Sequence, residues 1–383
     1  MNTKPAYDLL IRGATVVDPS QDLHEVRDIA VSGDRIAALG TDIPEEQAAT
    51  VIDAGGKLAT PGLIDLHVHV WWGVAHLGIP PDPNCVARGV TTVYDAGSAG
   101  ADTFPGFKKY VIDVSATRIF AFLHVSSQGQ LNHDIGELTD LRYADVPRAI
   151  RMCEENRDAI VGIKIRMGGR MVGDSGAEAL KRAREVSDAT GLPLMIHPNA
   201  SPVSLKDQLS ELRSGDIVTH CFHKSETGIL NADGAVRPEA RKAFQEGILF
   251  DVGHGAGSFS FPVAEAALAQ DFIPGTISSD LHHYNLNGPV FDLATTLSKF
   301  LMLGMSLDDA VRRVTQAPAE AMGMSGTIGA LVPGACADVA LFDLEEGEFT
   351  MMDAQGETRI APQRLVPVST LRDGRLYTPT SFN

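Results

Sequence analysis

Short apolar runs alternate with amphipathic stretches through the middle of the chain, whereas both ends follow a β pattern. Residues 7–58 read as strands: 7–17 alternates loosely, 28–39 carries a turn at 33–35, and 50–59 follows. The far end repeats this, with strand-like segments 337–344 and 359–377 and a tail expected to fray. Two β segments flanking one long middle predict a small β domain, a β-sandwich, assembled from residues 1–58 and 326–383.

Within residues 59–325 eight strand-like runs can be counted, at 62–68, 91–96, 118–125, 160–166, 193–197, 216–220, 249–253 and 275–280. Good helix formers with i, i+3, i+4 apolar spacing occupy 145–158, 177–190, 205–213, 238–245 and 262–270, and helices over 293–303 and 307–316 would close the ring. Eight such units predict an α/β fold, a (β/α)8 TIM-like barrel. A doubly wound open sheet gives similar alternation and is the alternative. No internal repeat or low-complexity segment interrupts the pattern.

Composition narrows the partners. At 383 residues, 44% hydrophobic and 21% charged, the chain resembles ordinary globular proteins and can bury a large core. No apolar run reaches the ~18 residues of a membrane span. With 32 basic against 49 acidic residues the net charge is −17, which opposes nucleic acid and anionic lipid, so a small-molecule substrate is expected. Association with further copies of the chain is left open. The opening Met-Asn-Thr-Lys-Pro-Ala-Tyr-Asp lacks the basic and apolar regions of a signal peptide, and a cytoplasmic location is expected. Cys85, Cys153, Cys221 and Cys336 have no Cys-x-x-Cys spacing and read as ordinary reduced thiols.

His67 and His69 stand two apart at the end of the first barrel strand, so both imidazoles face one way and can reach one ion. Alone, a pair of structural histidines is an equal reading. Later strands change the balance, because they too end in metal-capable residues: His197, His220 and Asp280. Strand C-termini of a barrel converge on one face, which brings these residues together. In Val161-Gly-Ile-Lys-Ile-Arg166, Ile163 and Ile165 take one face, and Gly162, Lys164 and Arg166 the other, which must point inward. A buried ammonium is costly unless paired. Lys164 therefore meets a carboxylate or carries a carbamate formed with carbon dioxide; the histidine neighbours favour the carbamate, an oxygen ligand suited to hard divalent ions.

Pro61-Gly-Leu-Ile-Asp-Leu-His-Val-His69, followed in order by Lys164, His197, His220 and Asp280, resembles the amidohydrolase superfamily in its binuclear dihydroorotase- and hydantoinase-like branch, over nearly the whole chain. The resemblance implies two divalent metal ions, zinc or else manganese. His67, His69 and Asp280 would bind the more buried ion, His197 and His220 the other, with N6-carboxylysine at Lys164 bridging them. It further implies hydrolysis by a metal-bridging hydroxide, with Asp280 as the catalytic proton carrier. Lys164-Ile-Arg166, Thr219-His-Cys-Phe222, Asp251-Val-Gly-His-Gly255, Ser258-Phe-Ser-Phe261 and Asp280-Leu-His282 look most like the amidohydrolase/deacetylase group, which is associated with N-acetyl amino acids and O-acetyl α-hydroxy acids. The stretches after His220 and after Asp280 differ where substrate is read.

Arg166 lies two residues nearer the mouth than Lys164 and is a candidate clamp for a substrate carboxylate, the alternative being an ion pair at the rim. His254, in a Gly-His-Gly turn, is a candidate donor to the carbonyl or the tetrahedral oxyanion, against a plain turn residue. Tyr94, His223, His282 and His283 are further pocket candidates, or else polar residues of the rim. Ser258-Phe-Ser-Phe261 before Pro262 reads as a helix opening. A deaminase relative would carry a helix-borne Glu soon after the fifth-strand histidine, whereas Pro-Asn-Ala-Ser-Pro follows His197. A ring-opening cyclic amidase remains the enzymatic rival. A metal-free scaffold relative is disfavoured because every ligand position is filled.

Overall fold

Alternating and continuous apolar runs sort the chain into two sheets, as a computed structural model describing residues 5–382 records. Residues 1–4 of the segment read as lacking a leader, and the last residue of the tail expected to fray, lie outside the described residues. Strands β1 (Tyr7–Asp18), β2 (Leu23–Ser32), β3 (Arg35–Gly40), β4 (Ala48–Asp53) and β5 (Leu58–Pro61) precede the barrel. Strands β6 (Leu63–Val68), β7 (Val90–Gly100), β8 (Arg118–His124), β9 (Ile160–Arg166), β10 (Leu194–His197), β11 (Ile217–Val218) and β12 (Leu249–Phe250) follow as one parallel sheet in chain order. Strands β13 (Val339–Met352), β14 (Thr358–Arg372) and β15 (Arg375–Tyr377) complete the chain.

The terminal strands form one mixed sheet in the order β15-β14-β13-β5-β1-β2-β3, with β4 paired to β1. The two ends meet where β13 pairs antiparallel with β5, Val339 opposite Pro61. Inward side chains of both ends, among them Ile11, Val16, Ile29, Leu341 and Leu371, share one core. The small domain is tied to the base of the barrel by Arg118, which begins β8 and pairs with Asp338 and, at 2.8 Å, with Asp373.

Segment 275–280, expected as the eighth strand, closes the ring without regular strand pairing. It makes single bridges, Thr276 to Asp251 and Leu281 to Val68, and Asp280 N donates to His67 O at 2.7 Å. Its hydroxyls explain the irregularity: Ser278 donates to Asp251 at 2.6 Å and Ser279 to Asp65, and Asp280 adopts a left-handed φ of 48°. His220, with φ 63°, likewise ends β11 early. Outer helices Val146–Glu155, Gly176–Thr190, Leu205–Ser210, Pro238–Gln245, Phe261–Leu268 and Leu293–Met302 lie where the apolar spacing put them. The stretch expected as one helix over 307–316 divides into Leu307–Arg312 and Gln316–Ala321, and Phe104–Tyr110 is a helix the periodicity did not indicate. Among the described residues no helix is long and apolar enough to cross a membrane.

Candidate active site

Inside the barrel, Ile64, Leu66, Tyr94, Ala96, Phe122, Met195 and Ile217 fill the lower part with apolar bulk. One inward step further up each strand, the side chains become Ser98, His124, Arg166 and His197. On β6 the pairing with β7 shifts between Asp65 and Val68, so His67 follows Leu66 into the same interior. Nε2 of His67 and Nε2 of His69 lie 3.4 and 3.2 Å from Asp280 Oδ1, and ligand-capable atoms of the three residues lie within 4.8 Å of one another. The ring of His220 stands 4.9 Å from that of His67 and 4.3 Å from that of His197. His197 and His220 thus form an adjacent pair beside the His67, His69 and Asp280 cluster.

Each of three imidazoles is oriented through its second nitrogen. Nδ1 of His67 is 2.8 Å from Thr219 Oγ1, Nδ1 of His69 is 2.9 Å from Ser98 Oγ, and Nδ1 of His220 is 2.6 Å from the Gly253 carbonyl. The Nε2 atoms therefore face one another and Asp280. Nε2 of His220 and Oδ1 of Asp280 are buried without a hydrogen-bond partner among the described residues. Leaving such groups unmatched costs about 1–3 kcal/mol each. Imidazole nitrogens and a carboxylate with oriented second nitrogens are the donor set of a divalent ion such as zinc, so the residues present fit one.

Lys164 is fully buried between these groups, and among the described residues its Nζ has one hydrogen-bond partner, the Met195 thioether at 3.3 Å. Burial pulls its amine down to about 7. Burial first, and Lys164 second, hold His67 and His69 well below the usual imidazole range. Glycine is required alongside. Gly97 has φ 87°, and a Cβ there would stand 2.5 Å from Lys164 Cγ; Gly255 has φ 59°, and a Cβ would stand 2.4 Å from Asp280 Oδ2.

Above Lys164 on the same strand face, Arg166 is paired: its Nη2 lies 2.6 Å from Glu137 Oε1, and Glu137 Oε2 lies 3.0 Å from His124 Nε2. Burial alone would raise the Glu137 carboxyl, but Arg166 and His124 outweigh it and hold the group at about 2. The Arg166 Nε has no partner among the described residues. Neither His124 nor Glu137 was picked out from the sequence. The strand-end rule reaches His124, the last residue of β8, whereas Glu137 lies in an irregular loop that carries no periodic signal.

Two expected pocket residues are corrected. Tyr94 points into the barrel below the cluster, stacked on Phe120 at 5.4 Å with its hydroxyl 3.4 Å from Met324 Sδ. Strand β7 runs on to Gly100 and not to Ala96, so the residue it presents to the cluster is Ser98. His254 uses both ring nitrogens internally, Nδ1 at 2.9 Å from the Gly255 carbonyl and Nε2 at 2.7 Å from Lys299 Nζ, and its ring stacks on Phe259. Its backbone N–H is also spent, on Ser278 O. It is a turn-locking residue with no donor left for a substrate. His283 is exposed at the rim, where its backbone N–H reaches the Leu77 carbonyl. His282 is buried with its ring 6.3 Å from that of His69. His223 is buried with Nδ1 2.7 Å from Ser225 Oγ and Nε2 unpartnered among the described residues.

The comparisons with known proteins agree with this architecture. Over 332 residues the chain is 38% identical to a deacetylase from Agrobacterium fabrum, covering 86% of this chain and 81% of that protein. A deacetylase from Enterococcus faecalis is 34% identical over 374 residues, covering 97% of this chain and 99% of the relative. Crystal structures of an adenine deaminase and of a dihydroorotase each superpose with a TM-score of 0.90 at 34% identity, covering 97% of this chain and 100% and 97% of theirs. Residues 58–376 match the Amidohydrolase family, from β5 through the barrel to β15. The chain belongs to that family and is a hydrolase of amide or ester bonds.

Proposed function

We propose that this hydrolase uses two metal ions to remove acetyl groups from N-acetyl amino acids or O-acetyl α-hydroxy acids. The observation that carries the metal centre is the His67, His69 and Asp280 cluster beside a buried Lys164 whose amine, among the described residues, is hydrogen-bonded to a thioether alone. The acetyl specificity is supported by the two relatives named deacetylase. His67, His69 and Asp280 would hold one ion, and His197 and His220 the second, zinc or else manganese. Bound there, such ions lower the pKa of water to roughly 7 and polarise the scissile carbonyl.

Lys164 would bridge as a carbamate: its neutral amine adds to carbon dioxide, a nitrogen–carbon bond forms, and one proton leaves. Asp280, with one carboxylate oxygen free of hydrogen bonds among the described residues, accepts the proton of the attacking water and returns it to the departing nitrogen or oxygen, a step usually worth about 10²–10⁴ in rate. Arg166 takes the substrate carboxylate through the nitrogens that Glu137 leaves open. The net charge of −17 disfavours nucleic acid as a partner, and four buried free thiols fit a reducing cytoplasm.

A cyclic amide is the second candidate substrate, favoured by the likeness to the dihydroorotase structure. A panel of N-acetyl amino acids, O-acetyl α-hydroxy acids, dihydroorotate, hydantoins and adenine decides, run on unchelated protein supplied with zinc or manganese and bicarbonate. Turnover of the acetyl compounds is expected. Turnover confined to the rings or to adenine would overturn the deacetylase assignment. Protein without divalent metal and without hydrolysis after metal supply would overturn the metal centre.

A further inference from the structure

The loop after β8 is nailed to the barrel mouth at points contributed by four other segments. Ser126 N donates to His124 Nδ1 at 2.9 Å, and Gln130 Nε2 donates to the Ala96 and Gly97 carbonyls at 3.2 and 3.0 Å. The Gln130 carbonyl accepts His76 N at 3.2 Å, Ser127 N donates to Tyr143 O at 2.8 Å, and Leu138 N donates to Met171 O at 2.8 Å. Among these anchors the loop inserts Glu137, its side chain only 3% exposed, between the ends of β8 and β9. Because Nδ1 of His124 accepts an amide proton, the ring's own proton sits on Nε2, facing Glu137 Oε2. Glu137 therefore stands between His124, in electrostatic contact with Oε2 without a hydrogen bond, and Arg166, paired with Oε1.

The Arg166 side chain is 10% exposed, yet Glu137 is its one ion-pair partner among the described residues, met through Nη2, and its Nε is buried with no partner at all. A guanidinium offers five N–H donors in a rigid fork matched to a carboxylate, and a nine-tenths buried one left half-satisfied is built to receive an anion. Glu137 also cancels the charge of Arg166, so this wall attracts an anion through donor geometry more than through net charge.

We infer that Glu137 is a positioning residue for substrate selection: it clamps one edge of the Arg166 guanidinium so that the remaining donors meet the substrate's carboxylate, and selectivity for an acid over its neutral amide depends on this pair. The inference rests on the proposed role of Arg166. Freed from Glu137, the arginine side chain regains its rotamers and must be reordered by each substrate, a cost that falls on binding and not on the chemical step.

The test compares O-acetyl-lactate with O-acetyl-lactamide on the metal-loaded enzyme and on its Glu137→Ala, Glu137→Gln and Arg166→Ala variants, with lactate and lactamide binding read by calorimetry. Glu137→Ala should cut the acid-to-amide ratio of kcat/KM at least tenfold, with the loss in KM, and weaken lactate binding relative to lactamide by a similar factor. Glu137→Gln, which keeps an acceptor oxygen toward Arg166, should recover most of that ratio. Equal losses on acid and amide, or a lowered melting temperature with an unchanged ratio, would overturn the positioning role. If Arg166→Ala also leaves the ratio unchanged, the carboxylate role of Arg166 fails. If Arg166→Ala collapses the ratio while Glu137→Ala does not, the positioning role alone fails. Should O-acetyl-lactate not be turned over, the lactate and lactamide calorimetry applies the same criteria.

Discussion

Thr219 determines which nitrogen of His67 carries the proton. Its Oγ1 donates to Asp251 Oδ2 at 2.8 Å, and the same oxygen lies 2.8 Å from His67 Nδ1. Asp251 accepts from Thr276 at 2.7 Å and from Ser278 at 2.6 Å as well, so the threonine proton is committed to it. The hydroxyl oxygen must then accept from His67, which puts the proton on Nδ1 and leaves the Nε2 lone pair toward Asp280. Thr219→Val keeps the shape and removes the acceptor. Chelator competition should show metal affinity about 10–100-fold weaker in that variant. Unchanged affinity would mean that Thr219 does not orient the ligand.

Lys164→Ala tests the bridge. The substitution leaves an apolar gap against Met195 and removes the group proposed to carry the carbamate. Loss of a few kcal/mol of charge stabilisation corresponds to about 10²-fold or more in kcat. Propionate, formate or bicarbonate, small enough to occupy the space and anionic like the carbamate, should restore part of the activity in a concentration-dependent way. A fully active Lys164→Ala enzyme would rule the bridge out, and a dead one that no small acid rescues would point to a structural role for the lysine.

Strand-end alternation made the converging side chains legible, because period two says which face a side chain takes. It says nothing of height. Tyr94 shares the inward face with Ser98, but two steps lower, and β7 outruns its last strongly apolar residue. The eighth strand was legible in position and not in form, since Ser278, Ser279 and Asp280 give their side chains to buried partners. His254 looked available because Lys299, 45 residues later on helix Leu293–Met302, gives no sign in the sequence that it comes back to cover the ring. Glu137 was invisible for a related reason: its significance comes from Arg166, 29 residues away, and from a loop without periodicity.

Arg118 is the second place where a buried charge matters, and here the effect is on stability. Its guanidinium donates to Thr92 Oγ1 at 2.9 Å and pairs with Asp338, whose side chain is 2% exposed, as well as with Asp373. Arg118→Met would strand Asp338 where barrel meets terminal sheet. Removing one partner of a buried pair costs about 3–5 kcal/mol, and urea unfolding should show a loss of that size. Adding Asp338→Asn should recover part of it by removing the uncompensated charge. A loss below about 1 kcal/mol would place the pair with ordinary surface ion pairs.

Glu137 gives the fold a specific response to acid. Its carboxyl, held at about 2 against an ordinary 4.5, stays ionised in the folded chain after the unfolded chain has begun to take up its proton. The stability this contributes is complete above the unfolded value and is lost as pH falls through the folded one, so the window runs from about 4.5 down to about 2. A shift of that size corresponds to on the order of 3 kcal/mol. Glu137→Gln cannot titrate and lacks this term. Unfolding free energies of the two chains, both stripped of metal so that acid release of metal does not enter, should differ most near pH 6 and converge toward pH 2. Every other carboxylate titrates in both chains and drops out of the difference. Parallel curves across that window would show that the Glu137 charge, although paired with Arg166, contributes nothing net to the fold.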